Sequence, residues 1–500
     1  MLTKSFSSVQ QVETPVASMR TVAQVLFEAG FFQNTALCAG AGLCGQCAVR
    51  FLEDSPPPCS ADSSRFTASE LDAGWRLACR HTASRSWRLE VVVRPQSSAL
   101  PSHVPCPCLG IDLGTTRIKW SAGSPGLAGK EEAAINPQMA AGSEIMSRLA
   151  YAASGQGARE RLHCLVADFV EAVAKSVQAR NIAVSGHTAM IAFLLHKPLD
   201  GLAYAPYRIS WYGGSMVALR DGLPDIYIPP MLGPFIGADI SAGLGHLCWR
   251  SEVRYPFIFA DLGTNGEFVL AVSERDFWAT SVPMGPAIEG VGLLCGSPAG
   301  AGAISQFELT PHGLSWSTDI PAAAISGTGY VSLLALLRRM GMVSLDGHFS
   351  DPASPLARKI GAIRASAWGK TLAITDTVWL AERDIEEFLK VKAGVNRAID
   401  ALLHAANLAL HDIASVYVAG ALGEHIATRD LCALGFFPAV FETKVEMVGN
   451  TSLAGAFRAS YDIRFREWLA QLPMHTHLVS LVDQPDFAAQ YVQAMRFAWV

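Results

Sequence analysis

Four cysteines carry the clearest chemistry in this sequence. Five residues separate Cys38 from Cys44, two separate Cys44 from Cys47, and Cys79 follows after a further 31. Three thiolates in one tight loop with a fourth at a distant strand end is the layout of plant-type [2Fe-2S] ligation, with one extra residue in the first gap. The loop Ala36-Leu-Cys-Ala-Gly-Ala-Gly-Leu-Cys-Gly-Gln-Cys47 is rich in glycine, as a backbone that wraps a cluster and aims N–H groups at its sulfurs must be. Structural zinc is the alternative, since four cysteines suit it too, although zinc sites more often use two close pairs. Gly40-x-Gly42-x-x-Gly45 matches the dinucleotide fingerprint by spacing. It lies among the metal-ligand cysteines and lacks the strand-to-helix context that motif needs, so the nucleotide reading is rejected there. Cys59, Cys106 and Cys108 read as bystanders, and the scattered Cys164, Cys248, Cys295 and Cys432 as small buried hydrophobes.

A second kind of chemistry recurs later. Asp112-Leu-Gly-Thr-Thr116 and Asp261-Leu-Gly-Thr-Asn265 each follow an apolar strand and precede another. In such a turn Gly114 or Gly263 can take a positive φ, and the backbone N–H groups and side chains of Thr115 and Thr116, or of Thr264, Asn265 and Gly266, can converge on one anion. Asp112 and Asp261 are placed to bind Mg²⁺ through water, or to orient an attacking water. Val416-Tyr-Val-Ala-Gly-Ala-Leu-Gly-Glu-His425 sets Gly420 and Gly423 at an expected strand-to-helix junction, where a chain can approach an adenosine closely. One Asp-Gly-Thr turn is ordinary turn chemistry. Two copies followed by the glycine junction read instead as an ATP site between two related halves facing each other across a cleft. Glu267 and Glu289 are further candidates for orienting water or metal, whereas Lys390 and Lys392 read as surface charges.

The elements that must position these residues follow from periodicity. Thr21 to Ala29 reads as an amphipathic helix, with Ala48 to Leu52 and Leu89 to Val93 as strands. The Pro- and Ser-spaced stretch closing at Cys108 reads as a linker. This gives a domain over residues 1–94, a linker over 95–108 and a second domain over 109–500. In the second domain, strands are expected at Leu109 to Leu113, Ile182 to Val184, Pro256 to Ala260, Phe268 to Val272 and Val416 to Val418. Helices are expected at Val331 to Met340 and Glu382 to Leu410. Five hundred residues call for more than one core. With 39 basic against 44 acidic residues, net −5, the chain has no bulk attraction for nucleic acid or anionic lipid. No apolar run reaches the roughly 18 residues of a membrane span, so a soluble, cytoplasmic protein without membrane contact is expected.

Residues 1–94 resemble the β-grasp ferredoxin domain. Residues 109–458 resemble the acetate and sugar kinase, Hsp70 and actin superfamily, in the order first phosphate turn, second phosphate turn, adenosine motif. The fold class this implies is an α+β β-grasp [2Fe-2S] domain followed by an α/β duplicated ribonuclease-H-like ATPase domain. The detail is similar to one branch, the ATP-dependent reductive activators of corrinoid proteins. The stretches that carry this likeness are Asn136-Pro-Gln138, Ile145 to Tyr151, Tyr227-Ile-Pro-Pro230, Gly237-Ala-Asp-Ile240 and Asp261 to Glu267, together with Met284-Gly-Pro-Ala-Ile-Glu-Gly290, Ser326-Gly-Thr-Gly329 and Asn450-Thr-Ser-Leu-Ala-Gly455. The resemblance adds Gly327 and Gly329 to the nucleotide-binding set. Two departures are Arg117 and Lys119 after the first turn, and His187 where the branch tends to have asparagine.

In that branch, ATP drives a single electron through a [2Fe-2S] cluster to cobalt, restoring Co(I) from inactive Co(II). Plant-type clusters sit near about −400 mV, and an uphill step of about 200 mV costs roughly 5 kcal/mol. Nucleotide-driven closure can supply that if the closed state binds the partner differently. The resemblance thus implies ATP, Mg²⁺ and [2Fe-2S] as cofactors, a corrinoid protein of a methyltransferase or demethylase system as partner, an upstream low-potential electron donor, and a homodimer through the ATPase domain. No Asp-x-His-x-x-Gly cobalamin signature occurs, Asp346-Gly-His348 being the nearest approach, so the corrinoid is expected on the partner. The rivals are an activator of another low-potential metalloenzyme, a small-molecule kinase with an accessory cluster, and a nucleotide-sensing interaction protein.

Overall fold

Alternate side chains of Ala48–Phe51 (β2) and Trp87–Val93 (β4) point into one core, Val49, Phe51, Leu89 and Val91 being buried. With Ser8–Thr14 (β1) and Trp75–Leu77 (β3), they form an antiparallel sheet in the order β1–β4–β2–β3. Helix α1 (Val22–Glu28) starts at a capping box between Thr21 and Gln24 and lays Val22, Val25 and Leu26 on that core. A short helix, α2 (Ser60–Arg65), follows β2, and a 3₁₀ turn at Ala78–Arg80 follows β3. These details come from a computed structural model. It describes the chain apart from residues 1–7, 33–34, 36, 38–39, 41, 43–44, 94–104, 143, 250–252, 264, 285–292, 298, 301, 319, 353, 367–368, 421–425 and 485.

The chain divides into two compact units. One comprises Met1–Ile182, Ala189–Trp211 and Val217–Ile226, and the other Ala183–Thr188, Tyr212–Met216 and Tyr227–Val500. Beyond the ferredoxin-like sheet, the first unit holds the strands Cys108–Leu113 (β5), Arg117–Ser124 (β6) and Glu132–Ile135 (β7), in the order β7–β6–β5. Helices α3 (Ile145–Ala152) and α4 (Gln156–Ser176) follow.

The second unit repeats the strand-turn-strand start. Phe257–Leu262 (β8) and Asn265–Ser273 (β9) pair antiparallel, with Asp276–Pro283 (β10) beside β9. Ser415–Ala419 (β11) runs parallel to β8, and Val445–Gly449 (β12) runs parallel to β11. Phe257, Phe259 and Ala260 are fully buried and read as a continuous apolar run, as a strand covered on both faces should. Helices Ala238–Cys248 (α5) and Thr451–Tyr461 (α8) meet through glycine. A Cβ on Gly455 would stand 2.0 Å from the Ala242 carbonyl oxygen, so only glycine permits the contact.

Between them in sequence lie α6 (Gly327–Arg339) and α7 (Glu382–Ala405). Helix α6 begins four residues before the expected Val331, because the Ser326 hydroxyl accepts the Gly329 N–H and caps the helix there. Helix α7 stops at Ala405 rather than Leu410. Asn407 takes φ 54° there, Leu408 N–H donates to Leu403 O, and Asn407 N–H donates to His404 O, which is a Schellman ending that the apolar spacing conceals. No helix among the described residues is long and apolar enough to cross a membrane.

Lys392, expected at the surface, is fully buried and donates to the carbonyls of Ala494 and Ala498. A neutral amine has two hydrogens for these two acceptors. Burial, with Arg397 and Arg496 nearby, brings its pKa down to about 7. The folded chain therefore releases a proton that the unfolded chain keeps up to about pH 10.4, so stability should rise as pH goes from 7 towards 10. Chemical denaturation of wild type and Lys392→Met over that range checks this, the variant losing the slope. Lys390 meets the surface expectation, pairing with Glu386 and Glu387 at 3.0 Å each.

Candidate iron-sulfur and nucleotide sites

Strands β2 and β3 bring two of the four cysteines together. Ala48 pairs with Leu77, and the Ala78 N–H donates to the Cys47 carbonyl at 3.0 Å, which puts Cys47 and Cys79 at adjacent strand ends. Cys47 is 1% exposed and Cys79 half-buried. Cys38 and Cys44 lie outside the described residues. In the loop between, Gly40, Gly42 and Gly45 all take left-handed φ, at 88°, 76° and 67°. A Cβ at Gly45 would meet the Arg65 guanidinium at 2.3 Å, and Arg80 reaches across to the Gly40 carbonyl at 3.0 Å. Two thiols at neighbouring strand ends beside a left-handed glycine loop suit an iron-sulfur cluster. Of the other cysteines, Cys295 is buried, while Cys164, Cys248 and Cys432 are only half-buried.

In the first unit, the turn Gly114–Thr116 joins β5 to β6. A Cβ on Gly114 would stand 2.4 Å from the Arg117 carbonyl, so the turn closes only around glycine. Asp112 is half-buried with Lys119 opposite it in the ladder. Lys119 pairs with Glu131 at 3.1 Å and Arg117 is exposed, so both departures from the family pattern have solvent-side explanations. Buried Asn136 steadies the turn, its amide donating to the Gly114 carbonyl at 2.8 Å and its N–H to the Thr116 carbonyl at 3.0 Å. Fully buried Arg148 of α3 donates to the carbonyls of Thr115 and Gly142 and to Gln138 Oε1. The sequence pattern alone assigns Asn136 and Arg148 no role. The signal available was an arginine among apolar residues of an amphipathic helix. Arg148→Met should raise the KM for ATP about tenfold or more, the weight of one charged hydrogen bond, which ATP titration of hydrolysis checks.

In the second unit, the ladder sets Glu267 directly opposite Asp261. Glu267 is buried, and that burial together with the carboxylates of Asp239 and Asp261 pushes its pKa well above the usual carboxylate range. Asp239 stands in the first turn of α5, where a helix N-terminus favours a carboxylate. Sequence reasoning passed it over. A divalent cation beside these carboxylates would reverse the shift in Glu267. Gly420 follows β11 with φ 90°, and a Cβ there would stand 2.6 Å from Asp261 Oδ1, so the adenosine-motif glycine backs directly onto the turn aspartate. The Gly263 N–H donates to the Asn265 carbonyl at 3.1 Å, closing the turn, and Asn265 is half-exposed. Gly266 packs on Met284, leaving no room for a Cβ.

Gly327 opens helix α6 and is buried. Gly329 faces the Ile304 carbonyl, where a Cβ would stand at 2.1 Å, so close packing already accounts for this glycine. Its neighbours Thr328 and Ser332 line a cavity of about 380 Å³ with Phe307, Arg339, Ile426 and Asp430. Buried His187, brought down to about 4 by its burial, is neutral near pH 7. Thr264, Glu289 and Gly423 lie outside the described residues.

A ferredoxin-type sheet presenting paired cysteines, joined to a duplicated strand-turn-strand fold with carboxylates at its turn, defines an iron-sulfur protein fused to an ATPase fold of the actin, Hsp70 and sugar kinase kind. Comparison with known proteins agrees. Residues 6–84 match the 2Fe-2S iron-sulfur cluster binding domain, 108–248 the RACo middle region, and 256–499 the C-terminal domain of RACo, the ASKHA domain. The chain belongs to this RACo family of reductive activators of corrinoid proteins. Among curated relatives, it is 24% identical over 422 residues to the corrinoid activation enzyme RamQ of Eubacterium limosum, covering 78% of this chain and 70% of the relative. It is 28% identical over 256 residues to the [Co(II) methylated amine-specific corrinoid protein] reductase of Methanosarcina barkeri, covering 46% of this chain and 43% of that protein. Its fold matches the solved structure of a reductive activator for corrinoid, iron-sulfur protein at a TM-score of 0.68, with 20% identity and 96% of each chain covered.

Proposed function

We propose that the chain uses ATP hydrolysis to deliver single electrons to the cobalt of a separate corrinoid protein, returning it from Co(II) to Co(I) in support of methyl transfer or demethylation. The observation that carries this is one chain holding both the Cys47–Cys79 strand-end pair and the Asp239–Asp261–Glu267 carboxylate group at a nucleotide turn. Cys38, Cys44, Cys47 and Cys79 hold a [2Fe-2S] cluster, which supplies one-electron transfer at low potential. Asn136 and Arg148 keep the Gly114–Thr116 turn in shape for phosphate. Thr264, Asn265 and Gly266 do the same work in the second turn, with Gly420, Gly423 and Gly327 towards the adenosine and the Thr328 cavity large enough to take it. Asp112 and Asp261 would hold Mg²⁺, which would neutralise charge on the phosphates. Glu267 and Glu289 orient the attacking water or the ion.

In balance, one electron from the low-potential donor enters Co(II) to give Co(I), while ATP and water give ADP and phosphate; the cluster that the four cysteines would hold would supply the one-electron carrier. An upstream low-potential donor, a homodimer through the ATPase domain and a cytoplasmic setting belong to the same reading, as do domain limits of 1–94, 95–108 and 109–500. The test mixes anaerobically reduced protein with Mg-ATP and corrinoid proteins loaded with Co(II) cobalamin and follows the cobalt absorption spectrum. Co(I) should form with ATP and not without it. Equal reduction in both arms would end the coupling hypothesis.

A further inference from the structure

Asp62 is a carboxylate where none is expected. It lies on α2 with 0% of its surface exposed. Its Oδ1 accepts the Leu77 N–H at 2.8 Å, and its Oδ2 accepts the Cys59 N–H at 2.9 Å and meets His81 Nε2 at 2.7 Å. Leu77 and His81 flank Cys79 symmetrically, two residues to either side. The 3₁₀ turn that carries Cys79 is thus held at both ends by one side chain. His81 is 8% exposed, its ring lies edge-on to Phe51 at 6.1 Å, and its carbonyl accepts the Val22 N–H at 2.8 Å, so the grip extends to α1.

Two simpler accounts fall short. Asp62 caps α2 through the Cys59 N–H, but Glu70 performs the same duty for the next helix, Ala68–Asp72, while only half-buried, so capping does not require full burial. A metal ion is the other account, since donor atoms of Cys59, Asp62 and His81 lie within 4.8 Å of one another. A tetrahedral zinc with bonds of about 2.0–2.1 Å to oxygen and nitrogen keeps those atoms about 3.3 Å apart, and 2.7 Å is a hydrogen bond instead. Burial pushes the Asp62 carboxyl up, and the hydrogen bonds from Leu77, Cys59 and His81 more than reverse this, so the group is an anion at neutral pH.

A fixed buried anion near Cys79 acts on whatever electron arrives there. Adding an electron increases the negative charge of an iron-sulfur cluster, and a neighbouring carboxylate in a poorly screened interior opposes it. We propose that Asp62 is a positioning residue for the cluster ligand Cys79 and that its charge holds the cluster potential low. The inference rests on the [2Fe-2S] reading above.

The test compares midpoint potentials, reduced-state EPR and far-UV circular dichroism of the full-length reconstituted wild type, Asp62→Asn, Asp62→Glu and Glu70→Gln. The Asn variant should raise the reduced-to-oxidised ratio about tenfold at fixed potential, equivalent to 59 mV for one electron. The Glu variant, which keeps the charge but shifts the carboxylate, should stay close to the wild-type potential with altered EPR line shape, and Glu70→Gln should change neither. If Asp62→Asn keeps a native dichroism spectrum but takes up no iron while Asp62→Glu does, the carboxylate is needed at the ligand and the inference stands. An unchanged potential in Asp62→Asn overturns it, and so does loss of iron from both Asp62 variants. Wild type that binds no iron-sulfur cluster would instead sink the underlying [2Fe-2S] reading.

Discussion

Glu267→Gln should slow ATP hydrolysis by about 10²–10⁴-fold, the usual weight of a positioned acid–base group, while leaving ATP affinity within a few-fold. The ladder fixes Glu267 against Asp261, and its burial beside Asp239 and Asp261 pushes its pKa well above the usual carboxylate range. Glutamine keeps the shape and removes the charge. The raised pKa belongs to the metal-free turn, so the cation of Mg-ATP, which lowers it again, keeps the wild-type carboxylate ionised near pH 7. Single-turnover hydrolysis with Mg-ATP and nucleotide titration read rate and affinity. A variant retaining more than a tenth of the wild-type rate would remove Glu267 from the chemistry.

Cys79→Ala should abolish colour, reduced-state EPR signal and cobalt reduction together, while nucleotide binding persists. Cys79, a proposed cluster ligand, stands just past the end of β3 beside Cys47. Removing the thiolate leaves no fourth ligand on the turn, so cluster assembly rather than electron flow is what fails. The proposed nucleotide residues Asp261, Asn265, Gly420, Thr115 and Thr116 stand on other strands and turns than the 3₁₀ turn that carries Cys79. Iron and sulfide analysis, EPR and nucleotide titration on one preparation separate the outcomes. Cobalt reduction at wild-type rate by the colourless variant would break the link between cluster and transfer.

Much of this site is legible in the sequence because the relevant constraints are local. Cysteine spacing and glycine density follow from the radius of a loop around a cluster, and the Asp-Leu-Gly-Thr turns follow from what a tight strand-turn-strand allows. Strand positions such as Cys108–Leu113 and Ser415–Ala419 follow from uninterrupted apolar runs. Element ends were less legible. The αL conformation at Asn407 and the cap at Ser326 move helix ends against the hydrophobic period.

The sequence by itself determined which residues are candidates for metal and phosphate, their order along the chain, and the family to which that order belongs, since each of these depends on neighbours a few residues apart. Only the tertiary structure decided that Lys392 is a buried amine, that Asn136 and Arg148 steady the first turn, that Asp239 joins Asp261 and Glu267, and that Asp62 holds both sides of Cys79. Burial and the meeting of distant polar atoms arise when elements far apart in the chain pack together, and no local pattern encodes which of them will meet.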